Sequence, residues 1–447
     1  MILSTFMELK FKTAKEIWKR AEDIIPGGNG LLSKRPDRYA PDIWPTYFKK
    51  CKGVLVTDLN DRHYIDMAQM GIGSAILGYA NDELNEYVNS IIKDGVNCTL
   101  NSIEEVLLAE KLLELNPFAG GVKFARTGGE AMAIAVRIAR AYSGKTKVLF
   151  SGYHGWTDWY LAANISSSKA LNNHLIPGLE PRGVPPGLQG TAIPFNYDDL
   201  ENFEKVFSEN KDCGIICIEG ARNDYPNNKF LEKIMYVAKK YNIIIISDEI
   251  TSGWRVTDGG VYKINGFKPD IVVYGKALGG GFAISAIVGK KDIMSSAQNT
   301  FISSTMWTER VGFAAGLKTV EILTRDMVWK NLIRIGKRII KGWSSLIKKY
   351  DLNITISNFE PLVTMKFNYG DRNQEIITLF VQEMLSRGYL ASTSIYVSNA
   401  HTEEIVDEYL INVDLVFKLL SEAILSKNIK KLLKTSVRSD SFKRLTK

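Results

Sequence analysis

The sequence predicts an α/β protein with a large domain built on a mainly parallel sheet and a smaller α+β domain. From about residue 80 to residue 300, helical and strand patterns alternate. The strand patterns are continuous apolar runs such as Ile243–Ser247, which are typical of parallel strands covered on both faces. Beyond about residue 310 the pattern changes to long helices with two short strands, and this change indicates the second domain.

The individual elements follow from periodicity and from turn residues. A helix is predicted over residues 13–25, and it ends at Pro26-Gly27-Gly28. Two strands, Gly53–Asp58 and His63–Met67, are predicted around the hairpin signal Asn60-Asp61. In the alternating region the expected strands are Gly121–Ala125, Lys147–Ser151, Gly214–Glu219, Ile243–Ser247, Asp270–Tyr274 and Ala286–Val288. The helices expected there are Glu104–Leu115, Ala131–Tyr142 and Leu231–Tyr241. Further on, the expected elements are the helices Arg310–Thr324 and Val328–Tyr350, the strands Asn353–Ser357 and Leu362–Phe367, and a helix from Glu403.

This order of elements predicts four parts of the chain. Residues 1–60 are expected to form an N-terminal segment that joins the small domain, and residues 61–309 the large domain. Residues 310–426 are expected to form the C-terminal small domain, and residues 427–447 a basic tail.

The net charge of +8 is concentrated in that tail. Residues 427–447 hold eight Lys and Arg against Asp440 alone, a net of +7, so the other 426 residues hold 49 Lys and Arg against 48 Asp and Glu. A solvated or frayed C-terminus is the favoured interpretation, and a tail that binds acidic partners is the alternative. The nearly neutral body predicts no nucleic acid partner.

The composition predicts a cytoplasmic protein that binds neither a membrane nor a metal. No uninterrupted apolar run is long enough to span a bilayer, and the N-terminus lacks the basic start of a signal peptide. Four cysteines are too few for a disulfide framework in a chain of 447 residues. The four histidines are scattered without metal-ligand spacing.

The segment PDIVVYGKALGGG, residues 269–281, carries the clearest chemical signal. It delivers Lys276 from an apolar strand into a glycine-rich turn, and Asp248 ends another apolar strand 28 residues earlier. Ligands of open α/β sheets bind at the carboxyl ends of the strands. A lysine that forms a Schiff base and an aspartate that keeps a pyridine nitrogen protonated are what a pyridoxal-phosphate (PLP) enzyme needs.

Two further motifs follow predicted strands. Arg126-Thr127-Gly128-Gly129-Glu130 precedes a helix, whose free amides and dipole attract an anion such as phosphate. Gly152-Tyr153-His154-Gly155 offers an aromatic ring that can stack on a flat heterocycle, and Ile250 could pack against a ring face. Alone, the first motif is equally typical of a tight strand-to-helix turn, and the second is more typical of a buried structural tyrosine.

Together, in this order, these motifs resemble the class III aminotransferases, most closely the branch that contains glutamate-1-semialdehyde 2,1-aminomutase. The similarity extends from the IPGG element near residue 25 to the AHTEE segment at residues 400–404. It implies the aspartate aminotransferase-like fold of PLP-dependent transferases, with residues 61–309 as the PLP-binding domain. The resemblance also implies that Lys276 forms the Schiff base, that Asp248 binds the pyridine nitrogen, and that Tyr153 and Ile250 lie on opposite faces of the ring.

The resemblance also implies a phosphate site and a partner subunit. Thr127, Gly128 and Gly129 match the family's phosphate loop. Thr305 matches a threonine that reaches the phosphate of the neighbouring subunit, which implies an obligate homodimer with a shared active site.

The chain departs from the aminomutase pattern on the substrate side. After Thr305 it reads Met-Trp-Thr-Glu-Arg where that branch has a small Gly- and Pro-containing run, and Thr393 stands where the branch has a glutamate. Lys34 and Arg35 lie only near the position of the arginine that receives the substrate carboxylate. The segment Trp156–Gly187 matches a mobile gate in position but not in sequence.

These features predict a PLP-dependent class III aminotransferase. It would transfer an amino group from an amino acid donor, with glutamate expected, to a small keto or aldehyde acceptor. The resemblance points to amino-sugar or amino-alcohol components of surface polysaccharide. The alternatives are an intramolecular aminomutase, a PLP decarboxylase or epimerase, a non-catalytic protein that keeps PLP, and nucleic-acid binding through the tail.

Overall fold

The computed structural model describes residues 13–167, 169–174 and 177–440. The strands of these residues are β1 Phe48–Lys52, β2 Leu55–Asp58, β3 His63–Met67, β4 Gly121–Ala125, β5 Val148–Ser151, β6 Ala192–Pro194, β7 Ile215–Glu219, β8 Ile244–Asp248, β9 Ile271–Tyr274, β10 Ser285–Gly289, β11 Ile354–Ile356, β12 Leu362–Phe367, β13 Tyr389–Ala391 and β14 Ser394–Tyr396. The helices of ten or more residues are α1 Ala14–Ile24, α2 Asp82–Lys93, α3 Ile103–Leu115, α4 Gly128–Ser143, α5 Leu200–Glu209, α6 Asn228–Tyr241, α7 Arg310–Arg325, α8 Val328–Lys349, α9 Asn373–Ser386 and α10 Glu403–Leu425.

The central sheet has seven strands in the order β4-β10-β9-β8-β7-β5-β6. The strands β9, β8, β7, β5 and β6 pair in parallel, and β10 pairs antiparallel with both β4 and β9. The predicted α/β fold with a mainly parallel sheet is therefore confirmed. Because β4 runs in the same direction as β9, the carboxyl ends of six of the seven strands meet at one edge.

The apolar strand patterns reflect burial on both faces of this sheet. In β8, Ile244 and Ile246 face a core that includes the apolar side of α4. Ile245, between them, faces a second core that includes residues of α5 and α6. A strand that alternates between two cores has no polar face, and this explains the unbroken run of isoleucines.

Two smaller sheets accompany the C-terminal helices. One has the order β1-β2-β3-β13, in which β13 pairs in parallel with β3. The other has the order β11-β12-β14 and is antiparallel throughout. The hairpin predicted at Asn60-Asp61 is present, since β2 and β3 pair antiparallel around it. The predicted division of the chain at residues 60, 309 and 426 remains a prediction.

The helices α2 and α5 and the strands β1, β6, β13 and β14 were not predicted from the sequence. Two further differences have a clear physical reason. Helix α4 begins at Gly128 rather than Ala131, because Thr127 and Glu130 form a reciprocal capping box at its start. Helix α9 was not predicted. Nine of its fourteen residues are buried, so it lacks the polar face that would reveal a helical period.

The prediction of a frayed C-terminus is wrong for the described residues. Ile429 is 2% exposed, and the Ser439 amide donates to the Asp37 carbonyl at 2.7 Å. The Arg438 Nε donates to the Arg38 carbonyl at 2.8 Å, and the Ser436 amide donates to Asp42 Oδ2 at 2.8 Å. The chain up to Asp440 thus packs on the N-terminal segment, and the rest of the predicted tail, residues 441–447, lies outside the described residues.

Within the described ranges, no helix combines the length and the apolar character needed to cross a bilayer. The same residues contain no group of three or more His, Cys, Asp and Glu side chains placed to hold a metal ion.

Candidate active site

Polar residues gather where parallel strands end at the carboxyl edge of the central sheet. Asp248 is the last residue of β8, and Glu219 is the last residue of β7, which pairs with it. Lys276 follows β9 after one glycine, and Tyr153 follows β5 after one glycine. Thr127 stands at the same edge after β4, as the N-cap of α4. The sheet therefore collects at one edge the residues that the sequence analysis selected from separate motifs.

Lys276 is held in a strained turn next to a hydroxyl. Its φ is +32°, in the left-handed region, at the start of the 3-10 turn Lys276–Gly279. Its Nζ donates to Thr251 Oγ1 at 2.7 Å. Burial lowers the pKa of Lys276 below its usual 10.5, and the neighbouring Arg222 guanidinium adds to the shift. A larger fraction of this amine is therefore neutral and nucleophilic than in a free lysine.

Asp248 forms a buried pair with His154, a partner that the sequence analysis did not identify. His154 Nδ1 lies 2.7 Å from Asp248 Oδ2, and His154 Nε2 lies 3.2 Å from the Ser151 carbonyl oxygen. Both ring nitrogens face oxygen acceptors, so the ring is best satisfied with a proton on each. Burial opposes that charge, but contacts with Cys217 and Asp248 outweigh it and raise the pKa of His154 well above 6.5.

Tyr153 and Ile250 are each fixed by a strand-end carboxylate, and Ile250 lies between Gly275, next to Lys276, and Gly128 at the start of α4. The Tyr153 amide donates to Glu219 Oε2 at 3.1 Å, and the Ile250 amide donates to Asp248 Oδ1 at 3.0 Å. A Cβ on Gly128 would lie only 2.9 Å from Ile250 Cδ1. Backbone bonds to the two strand-end carboxylates thus fix the two residues that the resemblance places on opposite faces of a ring.

The start of α4 forms a glycine cradle. A Cβ on Gly129 would lie 2.9 Å from Trp156 Nε1, and a Cβ on Gly155 would lie 2.9 Å from the Gly129 Cα. The first amides of a helix of 16 residues have no partner within the helix and attract an anion. With Lys276 and Asp248 nearby, the donor set fits PLP: a phosphate cradle, an amine with a lowered pKa, and a carboxylate for a pyridine nitrogen.

Thr305 lies in a different environment from the other candidate residues. It begins the exposed 3-10 turn Thr305–Thr308, and its carbonyl accepts a hydrogen bond from the Thr308 hydroxyl at 2.9 Å. Arg126, which precedes the glycine cradle, donates to the Met306 carbonyl at 2.6 Å. Exposure of Thr305 is compatible with a contribution to a second copy, and that role remains a prediction.

A second ion pair at this edge was also missed. Arg222 binds the Glu219 carboxylate through its Nε at 2.9 and 3.1 Å and through its Nη2. The Nη2 also lies 3.3 Å from Thr251 Oγ1, the hydroxyl that Lys276 contacts. The run Ile-Ile-Cys-Ile-Glu at residues 215–219 carries the signal that selected Asp248, an apolar strand that ends in a carboxylate, so Glu219 could have been found.

The substrate-side residues named from the sequence contact other parts of the chain or lie in a segment that is described in part. The Arg35 Nε donates to Asp37 at 3.0 Å and the Arg35 Nη1 to the Gly27 carbonyl at 2.6 Å, so this guanidinium serves the N-terminal segment. The Thr393 carbonyl accepts from the Met365 amide at 2.7 Å. The segment Trp156–Gly187 includes three residues, 168, 175 and 176, outside the described ranges.

Comparison with known proteins agrees with this geometry. The sequence profile of the family Aminotransferase class-III matches residues 39–397. The 3-aminobutyryl-CoA aminotransferase of Cloacimonas acidaminovorans is 30% identical over 410 residues, which cover 89% of this chain and 94% of that protein. A glutamate-1-semialdehyde 2,1-aminomutase of Francisella philomiragia is 29% identical over 428 residues, which cover 90% and 97% of the two chains. The PLP internal aldimine structure of the FumI protein of Sphingopyxis sp. MTA144 superimposes with a TM-score of 0.82 at 21% identity, and the match covers 92% of this chain and 97% of that one.

Proposed function

This chain belongs to the class-III aminotransferase family and is a PLP-dependent aminotransferase, and we propose that it moves an amino group from an amino acid, with glutamate as donor, to a small keto or aldehyde acceptor. The observation that carries the proposal is the convergence of Lys276, Asp248 and the glycine cradle at one edge of the sheet. The pKa of Lys276, lowered by burial, suits an amine that must bind and release a carbonyl and move a proton.

The residues at this edge divide the work of holding PLP. Lys276 would bind it through Nζ, and Asp248, held in place by His154, would bind the pyridine nitrogen. Tyr153 and Ile250 would lie on the two faces of the ring. When bound, PLP supplies the electron sink that stabilises negative charge at the amino-bearing carbon. Its phosphate would be held by residues at the start of α4, namely Thr127, Gly128 and Gly129.

Lys276 is the group placed to move the proton at the amino-bearing carbon. Its Nζ is fixed by Thr251 Oγ1 at 2.7 Å, so the amine starts from a defined position. The two strand-end carboxylates each have a buried or partly buried cationic partner, His154 and Arg222, and neither is free to take over this role.

The second candidate function is an intramolecular aminomutase. A relative that covers 90% of this chain bears the name glutamate-1-semialdehyde 2,1-aminomutase, whereas another is named as an aminotransferase. An aminomutase returns the amino group to the same molecule, so it releases no keto acid. Measuring keto-acid release from glutamate, with and without an added aldehyde acceptor, separates the two activities.

For the acceptor we propose a precursor of an amino sugar or amino alcohol of surface polysaccharide.

We also propose a homodimer in which Thr305 reaches the site of the partner. Support comes from exposed apolar side chains near this turn: Leu100 is 79% exposed, Ile103 60%, Phe301 84% and Met306 56%. Such a patch indicates a protein contact. Sedimentation analysis of the wild type and of Phe301→Glu tests the dimer, which the charge should weaken.

Because the four cysteines are free thiols, we propose a cytoplasmic location.

A visible absorption spectrum of the purified holoenzyme tests the central proposal. We expect a cofactor band that changes when one amino donor is added, without added acceptor. Lys276→Ala should lose this response, whereas Lys268→Ala, an exposed lysine of the same domain, should keep it. A protein that binds no PLP, or a Lys276→Ala variant that reacts normally, would contradict the proposal.

A further inference from the structure

Arg222 stands next to the reactive amine. Its Nη2 and the Nζ of Lys276 both contact Thr251 Oγ1, at 3.3 and 2.7 Å. A single hydroxyl oxygen therefore lies between the guanidinium and the amine. In the roles proposed above, Arg222 takes part neither in the proton transfer nor in the binding of PLP.

One edge of the Arg222 guanidinium is occupied, and Nη1 at its other edge makes no hydrogen bond to a described residue. Glu219 takes the edge formed by Nε and Nη2, in a bidentate pair. The hydrogen bonds of Arg222 among the described residues use only Nε and Nη2, so Nη1 makes none of them. The side chain remains 15% exposed, whereas Glu219 is 6% exposed. This arrangement leaves the end-on edge, Nη1 and Nη2, for a ligand that takes a free N–H of Nη1 and displaces the long contact between Nη2 and Thr251 Oγ1.

The charges around Lys276 favour an anion in this cleft. Glu219 balances Arg222 and Asp248 balances His154, but Lys276 and Arg255 form no ion pair with a carboxylate of the described residues. Arg255 is fully buried, its hydrogen bonds to described residues are to the carbonyls of Thr251 and Gly73, and it lies 5.3 Å from the Tyr396 ring. Despite burial, Lys276, Arg222 and Arg255 lower the pKa of Tyr396 below 10, as expected in a cationic site.

We propose that Arg222 binds the carboxylate of the amino acid donor through its end-on edge, Nη1 and Nη2, while Glu219 holds the guanidinium in place. This inference rests on the proposed aminotransferase function and deepens it, because it assigns the donor to the amino acids with a carboxylate close to the reacting amine. Only the Thr251 hydroxyl separates Arg222 from Lys276, so a carboxylate bound by Arg222 would lie close to the reacting amine, as a carboxylate on the amino-bearing carbon does. A planar guanidinium pairs with a carboxylate in two parallel hydrogen bonds.

Two other roles for Arg222 make different predictions. If Arg222 only closed an ion pair with Glu219 for stability, its loss would lower the folding stability and leave ligand binding unchanged. If Arg222 served the cofactor, its loss would weaken PLP binding. Arg35, the arginine that the sequence placed near this role, is committed to Asp37 and to the Gly27 carbonyl.

The test is a calorimetric titration of the holoenzyme with glutarate, a dicarboxylate that has no amino group and cannot react. The wild type should bind glutarate. In Arg222→Gln the affinity should fall by about 10- to 100-fold, since hydrogen bonds to a charged group are lost. Arg222→Lys keeps the charge but loses the bidentate edge, and its affinity should be intermediate. Arg20→Gln changes an exposed arginine on α1 and should bind glutarate as the wild type does.

The outcomes are distinct. The inference is overturned if the wild type binds no glutarate, if Arg222→Gln binds it normally, or if Arg222→Gln loses PLP affinity instead. Should Arg222→Gln fail to fold, wild-type affinity in Arg222→Lys would overturn it. If the wild type binds glutarate through Arg222 but no amino acid changes its spectrum, the carboxylate site stands and the aminotransferase proposal fails.

Discussion

The cofactor side and the substrate side of the candidate active site are built on different parts of the fold. Asp248 ends a strand that is buried on both faces, and Lys276 follows its parallel neighbour after one glycine. Arg222 and the segment Trp156–Gly187 lie instead on connections beyond the strands. The sheet therefore positions the residues of the cofactor side. Loops position the residues of the substrate side, and loop sequences can change with the substrate without altering the sheet.

Apart from the loss of Lys276, the largest effect on turnover is expected from Asp248→Asn, which tests whether the residues at the strand ends are indispensable. The amide cannot supply a negative charge, and it leaves the buried His154 imidazolium without a partner. We expect turnover with the amino donor to fall by about 1000-fold, within the range for groups that act on proton transfer. Asp371→Asn, an exposed aspartate, is the control. Normal turnover in Asp248→Asn would remove the basis of the comparison.

The difference between the two sides also explains what the sequence could predict. An apolar strand that ends in a polar residue is a local pattern, so Asp248 and Lys276 were found without a structure. The sheet edge then brings them together, as parallel strands require. His154 was visible in the same motif as Tyr153, but its role depends on a contact with a residue 94 positions away. No local pattern records such a contact.

The same limit applies to Arg222 and to the C-terminus. Arg222 follows a strand, yet only the structure shows that it shares Thr251 with Lys276. The last residues read as a basic tail because charge is their strongest local feature. Their packing depends on partners from the opposite end of the chain, such as Asp37 and Asp42. Sequence periodicity therefore predicted the sheet and missed contacts between distant segments.

Gly155→Ala tests the contact between the loop after β5 and the glycine cradle at the start of α4. Gly155 has a φ of +102°, and an added Cβ would lie 2.9 Å from the Gly129 Cα in the glycine cradle. We expect the affinity for PLP, measured by absorbance titration, to fall about 10-fold as the loop moves off the cradle. Gly183→Ala has a similar φ of +90° and no atom within 4 Å, so it isolates the backbone strain. Equal losses in both variants would show that the contact has no role.

The contributions of His154 and His174 to the free energy of unfolding should depend on pH in opposite directions. The raised pKa of His154 means that its imidazolium stabilises the fold fully below pH 6.5 and that this contribution is lost as the pH rises through the folded-state pKa. In the loop, burial lowers the pKa of His174 to about 4, and its Nδ1 accepts from the Gly152 amide at 3.1 Å. That contribution is present above pH 6.5 and is lost as the pH falls towards about 4.

Urea unfolding between pH 4 and pH 9 measures both contributions. The stability advantage of the wild type over His154→Gln should shrink as the pH rises, and its advantage over His174→Gln should shrink as the pH falls. The two variants serve as controls for each other. Parallel pH profiles would mean that the histidines do not differ in charge, which would contradict the imidazolium assigned beside Asp248.

The smallest effect on turnover is expected from removing the C-terminal residues that follow Leu433. This truncation deletes the hydrogen bonds from Lys434, Ser436, Arg438 and Ser439 to the body of the protein. At about 1 kcal/mol each, the loss of these four bonds should lower the free energy of unfolding by roughly 4 kcal/mol. Truncation after Asp440 keeps these contacts and is the control. Since the contacts are with the N-terminal segment and α9 rather than with the sheet edge, turnover of the folded enzyme should be unchanged. A loss of turnover in the shorter chain, at a temperature where it is fully folded, would show that the C-terminal residues act on the active site.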